Sequence, residues 1–202
     1  MKNHSVLHEA SPRVLWFPNI INVDEAEHFI ALAKPVLVPA GVVAYAGNEI
    51  SDARTNSVCW LDKSQDAVVM RVCQRIAAAV EMPLSHAEKI QVVYYREGQE
   101  FKPHFDAIRP VSIHAQQSLK ALGGQRLLTA LVYLNHVDEG GETYFPKLNL
   151  SQSPQALSML VFTNTTASGN LPDPLSLHGA APVVAGEKWA FNLWFRQNPT
   201  GY

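Results

Sequence analysis

Lys188-Trp189-Ala190-Phe191-Asn192-Leu193-Trp194-Phe195-Arg196 is the stretch from which the architecture of this chain is best read. In an extended strand successive side chains alternate between faces. Trp189, Phe191, Leu193 and Phe195 then form one apolar packing face, while Lys188, Ala190, Asn192, Trp194 and Arg196 share the other. Burying Lys188 on that second face would be costly unless an anion neutralised it; the alternative is that the strand begins in solvent.

Short runs of the same kind, bounded by Gly, Pro and Asn, recur upstream at 90–95, 101–105, 126–134, 142–145 and 157–162. Their spacing is that of an all-β sandwich or barrel rather than of βαβ units. Residues 107–125 and 164–176 are polar and too long for tight hairpins, so they read as surface loops near a site. Before residue 90 the period changes. Asn22 followed by Glu25 is a capping box, Phe29, Ile30 and Ala33 recur at helical spacing, and Pro35 ends the pattern. A second helix is expected over 64–80, where Val68, Val69, Val72, Cys73, Ile76 and Val80 form one stripe. The fold class expected is mainly β with supporting helices. One domain spans 1–202, with N-terminal helical support over about 14–89 and a β core over about 90–198.

The 202 residues are 47% apolar and 17% charged, enough for one sizeable core. A formal net charge of −2 without long runs of either sign gives nucleic acid or an anionic membrane no bulk attraction. The first ten residues lack the unbroken apolar stretch of a secretory signal, and no later run approaches a membrane span, so a soluble cytoplasmic protein is expected. Cys59 and Cys73 are the only two cysteines and are not spaced as a zinc pair. They read as reduced and structural.

His104 and Asp106 fall on the same side of a strand, with Phe105 opposite, so an imidazole and a carboxylate stand side by side. If His178 joins them, two His and one carboxylate can occupy one face of an iron and leave other positions open for substrates and dioxygen. The triplet alone is a weak signal. What adds weight is that His178, of the eight His, is followed ten positions later by the Lys that opens the patterned strand.

Longer stretches of text add to this. Val93-Tyr94-Tyr95-Arg96-Glu97-Gly98-Gln99 leads into Lys102-Pro103-His104-Phe105-Asp106. Gly123-Gly124-Gln125-Arg126, Thr129, Val132-Tyr133-Leu134-Asn135 and Gly140-Gly141-Glu142-Thr143 follow, then Leu177-His178, Pro182-Val183, Gly186-Glu187-Lys188-Trp189 and Trp194. Upstream stand Phe17-Pro18-Asn19 and Ser51-Asp52-Ala53-Arg54-Thr55-Asn56-Ser57. In this order and spacing the chain resembles the prolyl 4-hydroxylase branch of the iron(II)- and 2-oxoglutarate-dependent dioxygenases.

The resemblance implies a double-stranded β-helix (jelly roll) core with N-terminal α-helices packed on one sheet. It implies Fe(II) on His104, Asp106 and His178, and 2-oxoglutarate with its far carboxylate on Lys188, helped by the hydroxyls of Tyr95 and Thr129, with Trp194 nearby. On the substrate side it points to Arg54, Tyr94 and Arg196; the last stands where collagen-type enzymes tend to carry a His. Dioxygen would be the oxidant and ascorbate a further reductant. The reaction implied is hydroxylation of a prolyl residue in a peptide or protein to 4-hydroxyproline, with release of succinate and CO2. Asp106 favours hydroxylation over halogenation, since related halogenases leave that ligand position empty.

Three other readings stay open: hydroxylation of another residue, a free amino acid or a small molecule; a non-catalytic β-helix that binds a ligand or a partner; and a nucleic-acid demethylase. The last would want a basic groove and stacking aromatics, which the sequence does not offer. The oligomeric state is open, a dimer included.

Overall fold

The computed structural model describes residues 4–44, 47–49 and 53–201. Part of the stretch 51–57 picked out in the sequence lies outside the described residues. Two sheets dominate. The larger has eight strands in the order Ser5–His8, Val14–Phe17, Met159–Thr163, Arg126–Tyr133, Lys188–Arg196, Ile90–Tyr95, Ser57–Leu61 and Val38–Pro39. The smaller has four, in the order Leu150–Gln152, Thr143–Phe145, His178–Ala180 and Phe101–His104. Neighbouring strands in both run antiparallel. This is a mainly β chain with a jelly-roll core, as expected.

The alternation read in residues 188–196 carries across the large sheet. Trp189, Phe191, Leu193 and Phe195 join Ile90, Val92, Ala130, Val132, Met159 and Val161 in one buried cluster. Two helices cover that cluster: α1 (Val23–Ala33) and α2 (Ala67–Ala79). Helix α1 starts with the anticipated capping box, Asn22 accepting from the Glu25 amide at 2.9 Å and Glu25 reaching back to the Asn22 amide at 3.0 Å. Helix α2, capped by Asp66, starts slightly later than the expected 64 and inserts Val69, Val72, Cys73, Ile76 and Ala77. The opposite face of the large sheet supplies Val93, Tyr95, Leu131, Tyr133, Leu160, Phe162 and Ala190, which pack with Phe145 and Ala180 of the small sheet. The central strands of the sheet are thus buried on both faces, and they read apolar on both parities except where the site intervenes.

Three expectations need correction. The segment before residue 90 is not helical support alone, because it also contributes Ser5–His8, Val14–Phe17, Val38–Pro39 and Ser57–Leu61 to the large sheet. These strands are short, and flanking helices dominate the periodicity of the segment. Second, 107–125 is not all loop: Ile113–Ala121 forms α3. Its apolar residues make no stripe, Ile113 being 75% exposed, so pattern reasoning had nothing to detect. Third, the strand holding His104 stops there, and Asp106 lies in the bend beyond it. No helix among the described residues is long and apolar enough to cross a membrane.

Candidate active site

His178 opens its strand directly opposite His104 in the small-sheet register. Adjacent antiparallel positions bring the two imidazoles to 4.4 Å between ring centroids. In each ring Nδ1 faces a backbone carbonyl two residues back, Lys102 for His104 and Ser176 for His178, both at 2.9 Å. A carbonyl can only accept, so Nδ1 carries the hydrogen and the Nε2 lone pair is left for the site. The Asp106 carboxylate closes the triangle, with Oδ1 3.7 Å from His104 Nε2 and Oδ2 3.7 Å from His178 Nε2. One donor atom from each of the three lies within 4.8 Å of the others, and among the described residues no other His, Cys, Asp and Glu group is arranged to hold a metal.

The electrostatics suit a cation. Burial, reinforced by His178, lowers the His104 pKa and keeps that ring a neutral donor. Burial alone would push the Asp106 pKa up, but His178, His104, Arg126 and the Thr129 hydroxyl outweigh it and hold the carboxyl below its usual range. Two neutral nitrogens and one anionic oxygen, grouped on one side, are the donor set that non-haem Fe(II) oxygenases use. The residues present fit that metal.

The triad opens into a cavity of about 450 Å³. Lys188, Tyr95, Thr143, Arg54, Gln91, Asn192, Trp60, Trp194 and Arg126 are among its walls. Lys188 is 2% exposed, and its ammonium donates to the Gly141 carbonyl at 2.6 Å. Burial pulls its pKa down to about 7, against a smaller upward pull from Glu142. Among the described residues no carboxylate is in ion-pair contact with it. A buried cation without a counter-ion at the wall of a metal-ready cavity fits a small dianionic co-substrate. Tyr95 lies opposite Lys188 in the sheet register, and its ring centroid is 5.3 Å from the ammonium. Burial raises the Tyr95 pKa to about 12, so its hydroxyl keeps its proton.

Thr129 has a different position from the one expected. It pairs with Trp194, six residues along the strand from Lys188, and its hydroxyl donates to Asp106 Oδ2 at 2.6 Å. It belongs to the metal end of the cavity. The hydroxyls nearer Lys188 are those of Tyr133, whose ring centroid is 5.5 Å from the ammonium, and of Thr143, which accepts from Tyr133 at 2.8 Å. Both stand in stretches picked out in the sequence, Val132-Tyr133-Leu134-Asn135 and Gly140-Gly141-Glu142-Thr143. What was missing is the sheet register that brings these stretches to Lys188.

Of the residues expected to meet substrate, Arg54 reaches the cavity and the other two do not. Arg54 is fixed by Asn56 at 2.9 Å and Gln91 at 3.1 Å, with its guanidinium 4.6 Å from the Phe101 ring centroid. Tyr94 points to the opposite face from Tyr95, packs on Trp189 and donates to Glu187 at 2.9 Å. Arg196 is 2% exposed and ends on Glu88 at 2.7 Å and the Gly124 carbonyl at 2.5 Å. Glu88 also grips Arg126, at 2.5 and 2.8 Å, and the Arg126 guanidinium lies 3.8 Å over the Trp194 ring. Trp194 therefore meets the cavity with its indole braced by the Arg126 guanidinium. Nothing in the local sequence marks Glu88.

Comparison with known proteins agrees with this geometry. The family model described as the 2OG-Fe(II) oxygenase superfamily matches residues 90–196. Prolyl 4-hydroxylase 5 of Arabidopsis thaliana is 36% identical over 205 residues, covering 91% of this chain and 68% of that one. The viral collagen prolyl hydroxylase of Paramecium Bursaria Chlorella virus-1, solved as a 2OG complex, superposes with a TM-score of 0.70 at 23% identity, covering 90% of this chain and 94% of its own. A Trichoplax adhaerens prolyl hydroxylase, solved with a peptide fragment of the hypoxia inducible factor oxygen degradation domain, shares the fold at a TM-score of 0.66 and 15% identity, over 91% and 83% of the two chains. With a buried two-His, one-carboxylate cluster at one end of its jelly roll, the chain belongs to the 2OG-Fe(II) oxygenases, as a prolyl 4-hydroxylase-like member.

Proposed function

We propose that the chain hydroxylates prolyl residues of a peptide or protein to 4-hydroxyproline, using Fe(II), 2-oxoglutarate and dioxygen and releasing succinate and CO2. The observation that carries the co-substrate half of this reading is Lys188, a buried cation without a carboxylate partner, facing the cavity that the triad opens into. Relatives described as prolyl 4-hydroxylases support the substrate half, as does the peptide bound to the Trichoplax protein.

His104, Asp106 and His178 would hold the metal, and the bound Fe(II) supplies the coupled decarboxylation and oxygen-atom transfer. The remaining tasks fall to the chain. Lys188 and Tyr95 hold the far carboxylate of 2-oxoglutarate, with Thr143 and Tyr133 completing the hydrogen bonding at that end, and this fixes which way the dicarboxylate points. Phe145 and Phe162 pack around His178 and keep water from that side of the ligands. Trp194, flattened under Arg126, and Arg54, tied to Gln91, are rigid walls against which a substrate residue is oriented. Two free, buried thiols suit a reducing compartment, and we place the protein in the cytoplasm.

The test is incubation of the Fe(II)-loaded protein with 2-oxoglutarate, ascorbate and proline-rich peptides. A mass gain of one oxygen on a proline, matched by an equal amount of succinate, is expected. Succinate formation stimulated by a small metabolite and not by any peptide would replace the prolyl reading with small-molecule hydroxylation at the same centre.

A further inference from the structure

Asn164 has no role in any of the steps above, yet it is fully buried at 0% exposure and connects through Thr129 to the metal ligand Asp106. We infer that Asn164 is a positioning residue for the metal site, orienting Asp106 through Thr129 with its side chain. The inference rests on the metal-site reading given above.

The direction of each bond can be worked out from donor capacity. Asp106 is an anionic carboxylate and can only accept, so the 2.6 Å contact from Thr129 Oγ1 uses the one hydroxyl hydrogen of Thr129. With that hydrogen committed, Thr129 can only accept from its other neighbour. Asn164 Nδ2 sits 2.8 Å from Thr129 Oγ1 and donates to it. The chain Asn164 to Thr129 to Asp106 therefore runs one way and ends on Oδ2 of the carboxylate. Rotating the Asn164 amide by half a turn would put an acceptor against Thr129 and compete for the hydrogen that Asp106 holds.

The orientation that serves Asp106 leaves the Asn164 amide oxygen buried without a hydrogen-bond partner among the described residues. Native proteins seldom leave such an atom, and it fits a residue retained for what its other end does. The Asn164 backbone is meanwhile anchored, its amide donating to the Leu127 carbonyl at 2.8 Å and its carbonyl accepting from the Asp173 amide at 2.9 Å. The Ser176 hydroxyl, 3.2 Å from that same carbonyl, gives its one hydrogen to the Asp173 carbonyl at 2.8 Å, so the arm that Asn164 controls is its side chain toward Asp106. Asn164 thus acts on Asp106, whose Oδ2 is the oxygen that faces His178. Oδ2 has a hydrogen bond already, which leaves Oδ1 as the oxygen less encumbered for a cation.

The experiment is titration with Co(II) alone, followed by calorimetry and by the visible absorption of the metal, on the parent, Thr129→Val, Asn164→Leu and the double variant. Partners of this kind typically govern metal affinity by about 10–100-fold. Each single variant should bind Co(II) weaker by a factor in that range with an altered spectrum, Thr129→Ser should bind as the parent does, and the double variant should be no weaker than Thr129→Val. Asn164→Ala, which adds no atoms, is read on the same titration should Asn164→Leu not fold. Parent-like affinity and spectrum in a folded Asn164 variant overturns the inference, and so does a double variant whose loss is the product of the two single losses. Failure of the metal-site reading itself would look different: His178→Ala would then bind Co(II) as tightly as the parent.

Discussion

The two faces of the large sheet are drawn from the same strands and differ by one step in sequence. On the helix side, Phe191, Leu193, Val132, Met159 and Val161 meet α1 and α2 with no polar side chain interposed on the central strands. On the cavity side, Lys188, Thr129, Asn192 and Trp194 alternate with them, and each polar group there except the buried Trp194 indole N–H is held by a named partner or faces the cavity. The first face supplies apolar burial at about 25 cal/mol per Å² removed from water. The second spends part of that stabilisation on keeping a cation, hydroxyls and an indole N–H out of water. The comparison teaches that stability and chemistry are separable here by strand parity, and each prediction below tests that separation.

The largest effect is expected at the metal. His178→Ala should abolish 2-oxoglutarate turnover, measured as succinate, while thermal unfolding still shows a folded protein. Loss of the fold instead would mean that the cavity face is structural after all. On the other face, Phe191→Ala removes a ring stacked at 4.6 Å on Phe29 and should cost about 3–5 kcal/mol in urea unfolding, with the 2-oxoglutarate KM of the folded protein unchanged. Lys188→Met should do the reverse. Losing one partner of a buried charge pair costs about 2–5 kcal/mol, a KM increase of roughly 30-fold or more, while the ligand-free protein should unfold no earlier than the parent.

A smaller effect is the pH dependence of the same group. The folded Lys188 pKa, at about 7, lies below its ordinary value of 10.5. Between those values the unfolded chain holds a proton that the ligand-free folded state does not, so Lys188 makes stability rise with pH across that window. Binding a dianion favours the protonated form, so 2-oxoglutarate affinity should fall as pH rises above about 7. Comparing KM across this range in the parent and in Lys188→Met, where that dependence should vanish, checks the sign. The smallest effect belongs to Asn22→Ala, which removes the α1 cap at a cost of about 1 kcal/mol in stability and leaves KM and kcat alone.

How far the sequence could be read follows the same division. Parity within one strand sufficed to sort Trp189, Phe191, Leu193 and Phe195 from Lys188 and Trp194, and the cap at Asn22 was legible because both its partners are local. The triad was legible too, since ligand chemistry restricts the residue types and the surrounding text gives their order. Register between strands was not. It decides that Thr129 meets Asp106 while Thr143 and Tyr133 sit nearer Lys188, and it depends on pairings between segments far apart in the chain. Burial of a charge was not legible either. Arg196 looked free to meet a substrate because the carboxylate that claims it, Glu88, lies 108 residues away.

The separation of faces also decides where the oxidisable sulfur lies. Cys59, Cys73 and Met159 are buried in the cluster under the helices, Met82 packs against it, and Met70 belongs to α2. Burial raises the two thiols to about 11 and about 12, so almost none of either is thiolate, the form that oxidants attack. A protein that activates dioxygen on one side of a sheet thus keeps all of its described sulfur on the other. Prolonged turnover without substrate should therefore damage the aromatic walls of the cavity, Trp194 foremost, before any cysteine or methionine.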